Sequence, residues 1–326
     1  MKKVILSTMI ISSSLLSFGQ SAIKYPATKK IDKVDVYFGN SIPDPFRWLE
    51  DDRSAETAEW VKEQNKVTFD YLAAIPFRNT IKARMEKLWN YEKVSAPFKE
   101  GDYTYYYKNN GLQNQSVMYR KDAKGTEELF LDPNTFSKDA TTSLDGVSFS
   151  KDGSLVAYSI SEAGSDWRKV IFIDAKTKLS IGEPLVDVKF SGLSWKGNEG
   201  IFFFFFEKPK GSELSAKTDQ HRLFFHKLGT KQAEDAILFG DQEKRRYVGG
   251  YVSDDNRYLF ISAANSTSGN ELYLKDLSVP NSPIVAIHKG FEYDVDVLDN
   301  VGTTLFIVTN LKAPNKRIVT VDVANP

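Results

Sequence analysis

The feature of this sequence that most constrains its fold is a repeated unit in which a tight turn leads directly into a strand-like run. The five turns are rich in Gly, Asp and Asn, and they are Gly101-Asp102, Asp152-Gly153, Gly197-Asn198, Asp255-Asn256 and Asn300-Val301-Gly302. Each is followed at once by apolar and aromatic residues, at positions 103–107, 155–160, 201–206, 258–263 and 305–309. Because Gly, Asn and Asp tolerate a positive φ angle, the pattern predicts five β-hairpins.

A second strand-like run closes each unit. In four units this run ends on an Asp, and these residues are Asp122, Asp174, Asp276 and Asp322. Each lies 21 residues after one position of its turn, counted from residues 101, 153, 255 and 301. The third unit has an insertion at residues 207–220 and ends on Lys227 instead. A strand-rich unit of about 40–50 residues is typical of a β-propeller blade, whereas a row of unrelated β-sandwich hairpins would not keep one internal distance.

The number of units bounds the size of the propeller. Four to five units fit between residue 98 and Pro326, and the last one stops just after its third strand. Propellers commonly have about 4–8 blades. The sequence therefore predicts a mostly β fold with an incomplete β-propeller at residues 98–326. We interpret the abrupt end as a truncation, and a closed small propeller is the alternative.

Residues 21–97 precede the repeats, and their later half has a helical period. Ser54 can cap a first helix, in which Trp60 and other apolar residues recur at helical spacing until Pro76 ends it. A second helix follows and presents Trp89 on its apolar face. Two short amphipathic helices cannot bury such faces alone, so we expect this helical arm to dock on another domain.

Residues 1–20 have the pattern of a secretory signal peptide. Lys2 and Lys3 give a charged start, residues 4–18 are largely apolar, and small residues follow near a plausible cleavage point. The apolar stretch is short for a bilayer span, which needs roughly 20 residues, although an uncleaved anchor is the alternative. We expect an exported protein, periplasmic or secreted, with no membrane partner once the leader is removed.

Composition argues against several function classes. The 43 basic and 43 acidic residues balance, so the basic excess of a nucleic-acid-binding protein is missing. The chain has no Cys, which excludes thiolate nucleophiles and Cys-ligated zinc, and its three His residues form no HExxH pair. Neither GxxxxGKS/T nor GxGxxG occurs. We therefore expect no metal, no cofactor and no nucleic-acid partner.

The sequence also lacks a recognisable catalytic constellation. The nucleophile elbow GxSxG does not occur, and residues 192–196 come closest but lack the final Gly. The acidic run at residues 50–52 is interpreted as a solvated surface, and the Phe run at residues 202–206 as a strand buried on both faces. Without a recognisable catalytic motif, the residues alone predict a binding or gating module.

Several segments resemble the amino-terminal half of prolyl oligopeptidases. The first is YFGNSIPDPFRWLED at residues 37–51. In the family's order there follow WNYE at 89–92, SAPF at 95–98, GLQNQ at 111–115, FLDP at 130–133, SEAGSDW at 161–167 and VKFSGLSW at 188–195. The resemblance runs from about residue 24 to the end of the chain.

The resemblance implies more than the residues show alone. The family joins a seven-bladed propeller to an α/β-hydrolase domain and cleaves short peptides after proline. The arm packs with that hydrolase domain, which carries the whole Ser, Asp and His triad, while the propeller gates and lines the substrate cavity. The expected partners are therefore proline-containing peptides and an α/β-hydrolase domain. We expect no catalytic residue within this chain and no activity from it alone.

Two substrate-side positions can be carried over from the family. Phe190 matches a propeller aromatic that in the family helps to line the pocket for substrate residues upstream of proline, and Asp166 matches an acidic residue of the blade facing the catalytic domain. A core Phe and a turn-capping Asp are the structural alternatives for these two positions.

Two other function classes stay open on the residues alone. A stand-alone secreted propeller used for binding would fit the leader and the repeats, but it would not explain a helical arm that docks on another domain. A propeller glycosidase would need two carboxylates paired in a cleft, and the sequence offers no way to pair them.

Overall fold

The computed structural model describes residues 23–208, 220–242 and 244–325, and the predicted signal peptide at residues 1–20 lies outside them. The chain divides into two compact units, with the boundary between Ile81 and Lys82. No helix in these described ranges is long and apolar enough to span a membrane.

The first unit begins with a hairpin of β1 (Val34–Tyr37) and β2 (Asn40–Pro43), followed by a 3-10 turn at Arg47–Glu50. Arg47 forms ion pairs with Asp35 of the hairpin and with Asp44. The guanidinium thus ties the turn to the hairpin within this unit.

Helix α1 (Ala55–Ala73) begins where the sequence predicts it. The Ser54 Oγ accepts a hydrogen bond from the backbone N–H of Thr57 at 3.0 Å, which satisfies one of the free donors of the first turn. Helix α2 (Arg78–Trp89) follows after Pro76. Its predicted apolar face is exposed, as the Trp89 side chain illustrates.

The second unit consists of five antiparallel sheets in sequence order, which we call blades 1 to 5. Blade 1 contains β3 (Lys93–Val94), β4 (Phe98–Glu100), β5 (Tyr103–Asn109), β6 (Val117–Lys121) and β7 (Glu127–Leu131). Blade 2 contains β8 (Thr142–Phe149), β9 (Leu155–Glu162), β10 (Trp167–Asp174) and β11 (Leu185–Lys189). Blade 3 contains β12 (Ser194–Lys196), β13 (Gly200–Phe205), β14 (Arg222–Lys227) and β15 (Ala236–Phe239).

The last two sheets follow the same plan. Blade 4 contains β16 (Tyr247–Val252), β17 (Tyr258–Ala264), β18 (Glu271–Asp276) and β19 (Ile284–His288). Blade 5 contains β20 (Val295–Val301), β21 (Thr304–Thr309) and β22 (Arg317–Asp322). Four to five units were predicted, and the structure has five, the last with three strands.

The five predicted turns each join the first hairpin of a blade. Gly153, for example, lies between β8 and β9 with a φ of 71°, and Asn256 lies between β16 and β17 with a φ of 59°. Turns of neighbouring blades also contact each other. The Asn198 amide of blade 3 donates a hydrogen bond to the Asp152 carboxylate of blade 2 at 2.7 Å.

Four buried clusters join the five blades in series, one at each interface between neighbours. The cluster between blades 2 and 3 contains Phe172 and Trp195, and the cluster between blades 3 and 4 contains Phe204 and Tyr273. Equivalent clusters lie between blades 1 and 2 and between blades 4 and 5. Among the described residues, no such cluster joins blade 5 to blade 1.

This arrangement explains the Phe run of β13. Phe203 packs into the cluster shared with blade 2, while Phe202 and Phe204 pack into the cluster shared with blade 4. Alternate side chains of a strand point to opposite faces, and both faces of this blade are covered. The prediction of a strand buried on both faces is confirmed.

Candidate functional site

The two substrate-side positions predicted from the sequence lie side by side in blade 2. Trp167, the first residue of β10, pairs directly with Lys189, the last residue of β11. Asp166 precedes Trp167 and Phe190 follows Lys189 in the chain, so both lie just beyond the same end of this strand pair. This is the end opposite the tight turn that joins β8 to β9.

Phe190 is not a core residue. Its side chain is 51% exposed, and its backbone φ of 52° lies in the left-handed region that non-Gly residues rarely adopt. The ring meets the Phe206 ring edge-on, with 6.2 Å between centroids. An exposed aromatic ring held on a strained backbone offers a surface on which an apolar ligand group can pack.

Asp166 is exposed as well, with 58% of its side chain accessible. The turn before it is capped by its neighbour instead, since the Ser165 Oγ accepts a hydrogen bond from the Trp167 backbone N–H at 3.1 Å. In the part of the chain that the structure describes, the Asp166 carboxylate accepts no hydrogen bond. Its carboxylate is therefore available to a ligand.

Lys189 is a third member of this site, and the sequence reasoning missed it. Its side chain is only 7% exposed, and its ammonium lies 4.0 Å from the Asp166 carboxylate. The same ammonium lies 4.9 Å from the centroid of the Trp167 ring and 5.0 Å from that of Phe190. Its place directly before Phe190 was the signal available, but the burial of most of its side chain could not be read from the sequence.

His221 supports the site from blade 3 and was also missed. Its ring stacks on Phe206 with 4.1 Å between centroids and 8° between planes. The Nδ1 atom accepts a hydrogen bond from the Val248 backbone N–H of blade 4 at 3.0 Å. Burial lowers the pKa of His221 to about 4, although the backbone of Lys189 partly opposes this shift. The imidazole is therefore neutral near pH 7.

A second His lies in blade 3 but cannot act on a substrate. The His226 Nδ1 lies 2.9 Å from the Asp235 carboxylate, and the two side chains are 3% and 2% exposed. The His226 ring also stacks on Phe172 of blade 2. A dyad this deeply buried between blades stabilises packing, since catalysis needs contact with the reacting atoms.

The titratable groups of the described ranges form no metal centre. No group of three or more His, Cys, Asp or Glu side chains in these ranges could hold a metal ion. What the site offers instead is an exposed ring, a carboxylate and an ammonium on a largely buried side chain, within a few ångströms of one another. This combination suits contact with a peptide.

Comparisons with known proteins agree with this arrangement of blades. The family model described as the N-terminal β-propeller domain of prolyl oligopeptidase matches residues 26–326. The chain is 57% identical to the prolyl endopeptidase of Elizabethkingia miricola over 308 residues, which cover 94% of this chain and 44% of that protein. It is 32% identical to prolyl oligopeptidase A of Amanita bisporigera, covering 93% of this chain and 45% of that protein.

Solved structures give a similar result. Prolyl oligopeptidase B from Galerina marginata, bound to a 25-residue macrocyclization substrate, matches with a TM-score of 0.79 and 27% identity. The match covers 92% of this chain and 46% of that structure. The chain thus spans less than half the length of the relatives that it matches.

Proposed function

The chain belongs to the prolyl oligopeptidase family as its amino-terminal propeller domain, and from this we propose that it is part of a serine peptidase. The proposed enzyme hydrolyses short peptides on the carboxyl side of proline. The catalytic triad belongs to an α/β-hydrolase domain outside these 326 residues. The sequence of this chain has no GxSxG motif to supply a nucleophile of its own.

The role that we assign to this chain is to gate and line the substrate cavity. The observation that carries this role is the placement of Phe190 and Asp166, which flank one strand pair and are both more than half exposed. Phe190 would pack on the substrate residue upstream of proline. Asp166 would face the catalytic domain or accept a hydrogen bond from the peptide.

The partners follow from the same assignment. They are short proline-containing peptides and the α/β-hydrolase domain on which the arm would dock. The exposed apolar face of α2, with Trp89 at its end, supports a docking role for the arm. The leader pattern at residues 1–20 supports export to the periplasm or the medium.

The test is to express the full reading frame that contains these residues and to assay cleavage of short peptides. One peptide carries a central proline, and a matched peptide carries alanine in its place. We expect cleavage after proline only. The 326-residue chain alone is the control, and we expect no turnover from it because serine activation needs a positioned His and an oxyanion hole.

Two outcomes would contradict this proposal. Turnover by the 326-residue chain, lost on mutation of a residue within it, would place catalysis inside the propeller. A full reading frame that folds but cleaves neither peptide would favour the alternative, a secreted propeller that only binds its ligand.

A further inference from the structure

The ammonium of Lys189 has no hydrogen-bond acceptor among the described residues. The nearest carboxylate with which it pairs, that of Asp166, lies 4.0 Å away, which is too long for a hydrogen bond. Yet 93% of the side chain is buried, since only 7% is exposed. An ammonium has three N–H donors, so all three are left without a described protein acceptor.

Most of the Lys189 side chain is covered by its neighbours, so the ammonium is held at one place beside Asp166 and Phe190. The rings of Trp167 and Phe190, each within about 5 Å, attract the ammonium through cation–π contacts. They cannot replace hydrogen bonds, because a ring face attracts the charge without accepting at a defined point. The site therefore holds a positioned donor that has no hydrogen-bond acceptor among the described residues.

Another lysine beside the same Trp167 ring shows the contrast. The Lys208 ammonium lies 5.7 Å from that ring and is paired with the Asp187 carboxylate at 2.7 Å. Lys208 is thus neutralised within the protein, whereas Lys189 has only a distant partner. Two described neighbours of Lys189, Phe190 and Asp166, are more than half exposed, so an approaching ligand would meet these three groups together.

We propose that the Lys189 ammonium binds a backbone carbonyl oxygen of the peptide upstream of proline. This inference rests on the proposed function and adds a donor to it. A neutral acceptor fits better than a carboxylate, because the Asp166 carboxylate 4.0 Å from the ammonium would repel a second negative charge placed there. The same carboxylate can accept the N–H of the bound backbone, while the Phe190 ring packs on a side chain next to it.

The experiment measures binding rather than turnover, in the full chain encoded by the gene. The probe is an acyl tripeptide that ends in proline, titrated by isothermal calorimetry. A second probe carries an (E)-alkene in place of the amide bond that precedes the residue before proline, so that this carbonyl is removed. The variants are Lys189→Met, which keeps the apolar stem between the rings, and Lys196→Met as a control.

Lys196 is a suitable control because it has the same kinds of contact elsewhere. Its ammonium lies 5.7 Å from the Phe225 ring and 2.6 Å from the Glu199 carboxylate, at the turn end of blade 3. Lys196→Met therefore removes a charge and a cation–π contact without touching the proposed site. It should leave the Kd of both probes unchanged.

For the wild-type chain we expect the alkene probe to bind about tenfold more weakly than the amide probe, as for loss of a hydrogen bond to a charged group. Lys189→Met should weaken binding of the amide probe by a similar factor and should no longer distinguish the two probes. Equal weakening of both probes by Lys189→Met, or no weakening at all, would overturn the proposal.

The same measurements separate this inference from the proposed function. If the wild-type chain cleaves after proline but binding does not depend on Lys189, the inference is wrong and the proposed function stands. If binding depends on Lys189 but no peptide is cleaved, the peptidase proposal is wrong and the carbonyl-binding site is supported. If neither probe binds, the carbonyl site is wrong whatever the turnover.

Discussion

The His221 imidazole lies parallel to the Phe206 ring, and the edge of Phe206 meets Phe190, with 4.1 Å and 6.2 Å between the ring centroids. His221 belongs to blade 3 and is hydrogen-bonded to the Val248 backbone of blade 4, while Phe190 ends blade 2. A buried neutral imidazole thus connects three consecutive blades behind the exposed ring of the candidate site.

Stability should fall on mild acidification because of His221. Its pKa is lowered to about 4 in the folded chain, against about 6.5 when unfolded, so between these values the unfolded state binds the extra proton. Stability is therefore lost as the pH falls through this window. We expect a loss of about 2 kcal/mol in the free energy of unfolding between about pH 7.5 and about pH 5. Urea titrations at the two pH values measure it.

The control for this prediction is His221→Gln, which cannot take up a proton. It should be less stable at both pH values, because the stacked ring is lost, but its pH dependence should be flatter. The pH range from about 7.5 to about 5 lies above the usual pKa values of carboxyl groups, so carboxylates contribute little to this change in stability. An unchanged pH dependence in His221→Gln would show that another group is responsible.

Gly153→Ala should destabilise the propeller more than Gly197→Ala. Both residues stand in the first hairpin turn of a blade with positive φ, so each substitution incurs backbone strain of about 1–2 kcal/mol. A Cβ at Gly153 would also lie 2.4 Å from the Gly101 backbone nitrogen of blade 1, whereas nothing lies within 4 Å of one at Gly197. We expect Gly153→Ala to cost about 1–3 kcal/mol more, measured by chemical unfolding. Equal costs would mean that the two turns do not touch in solution.

Phe190→Ala should affect substrate handling and leave stability nearly unchanged. The ring is half exposed, and surface substitutions usually change stability by about 0.5 kcal/mol or less. Loss of its apolar contact with the peptide should lower kcat/KM for a proline peptide about tenfold in the full-length protein. Thermal unfolding and steady-state kinetics measure the two effects.

The matched control is Phe204→Ala, which removes the same side chain from the cluster between blades 3 and 4. That substitution should cost about 3–5 kcal/mol of stability, because the surrounding core cannot fully collapse into the cavity. If Phe190→Ala is as destabilising as Phe204→Ala, Phe190 is a packing residue and not a substrate contact.

The leader should be removed on export, leaving a mature amino terminus near Ser21. The prediction rests on Lys2, Lys3 and the short apolar run that follows them. Amino-terminal sequencing of the exported protein measures the cleavage point. Protein that keeps Met1 and stays with the membrane fraction would contradict the prediction.

The sequence by itself determined the repeat and therefore the architecture of the blades. Turn residues such as Gly153 and Asn256 are needed wherever φ must be positive, and this requirement is local, so it can be read from residue type. The Phe run of β13 likewise indicated a strand covered on both faces, because a continuous apolar run without alternation is typical of such a strand. Helix α1 was predicted from its Ser54 cap for the same local reason.

Only the tertiary structure decided which charges and rings meet. Lys189 and Trp167 are paired by the register of two strands, and His221 reaches Phe206 across an insertion whose length hides their proximity in the sequence. The position of the Lys189 ammonium depends on the two rings beside it and on the carboxylate nearby. Burial of a side chain, as at His221, is a property of many residues packed together in space, whereas turn and strand preferences belong to a few residues adjacent in the chain.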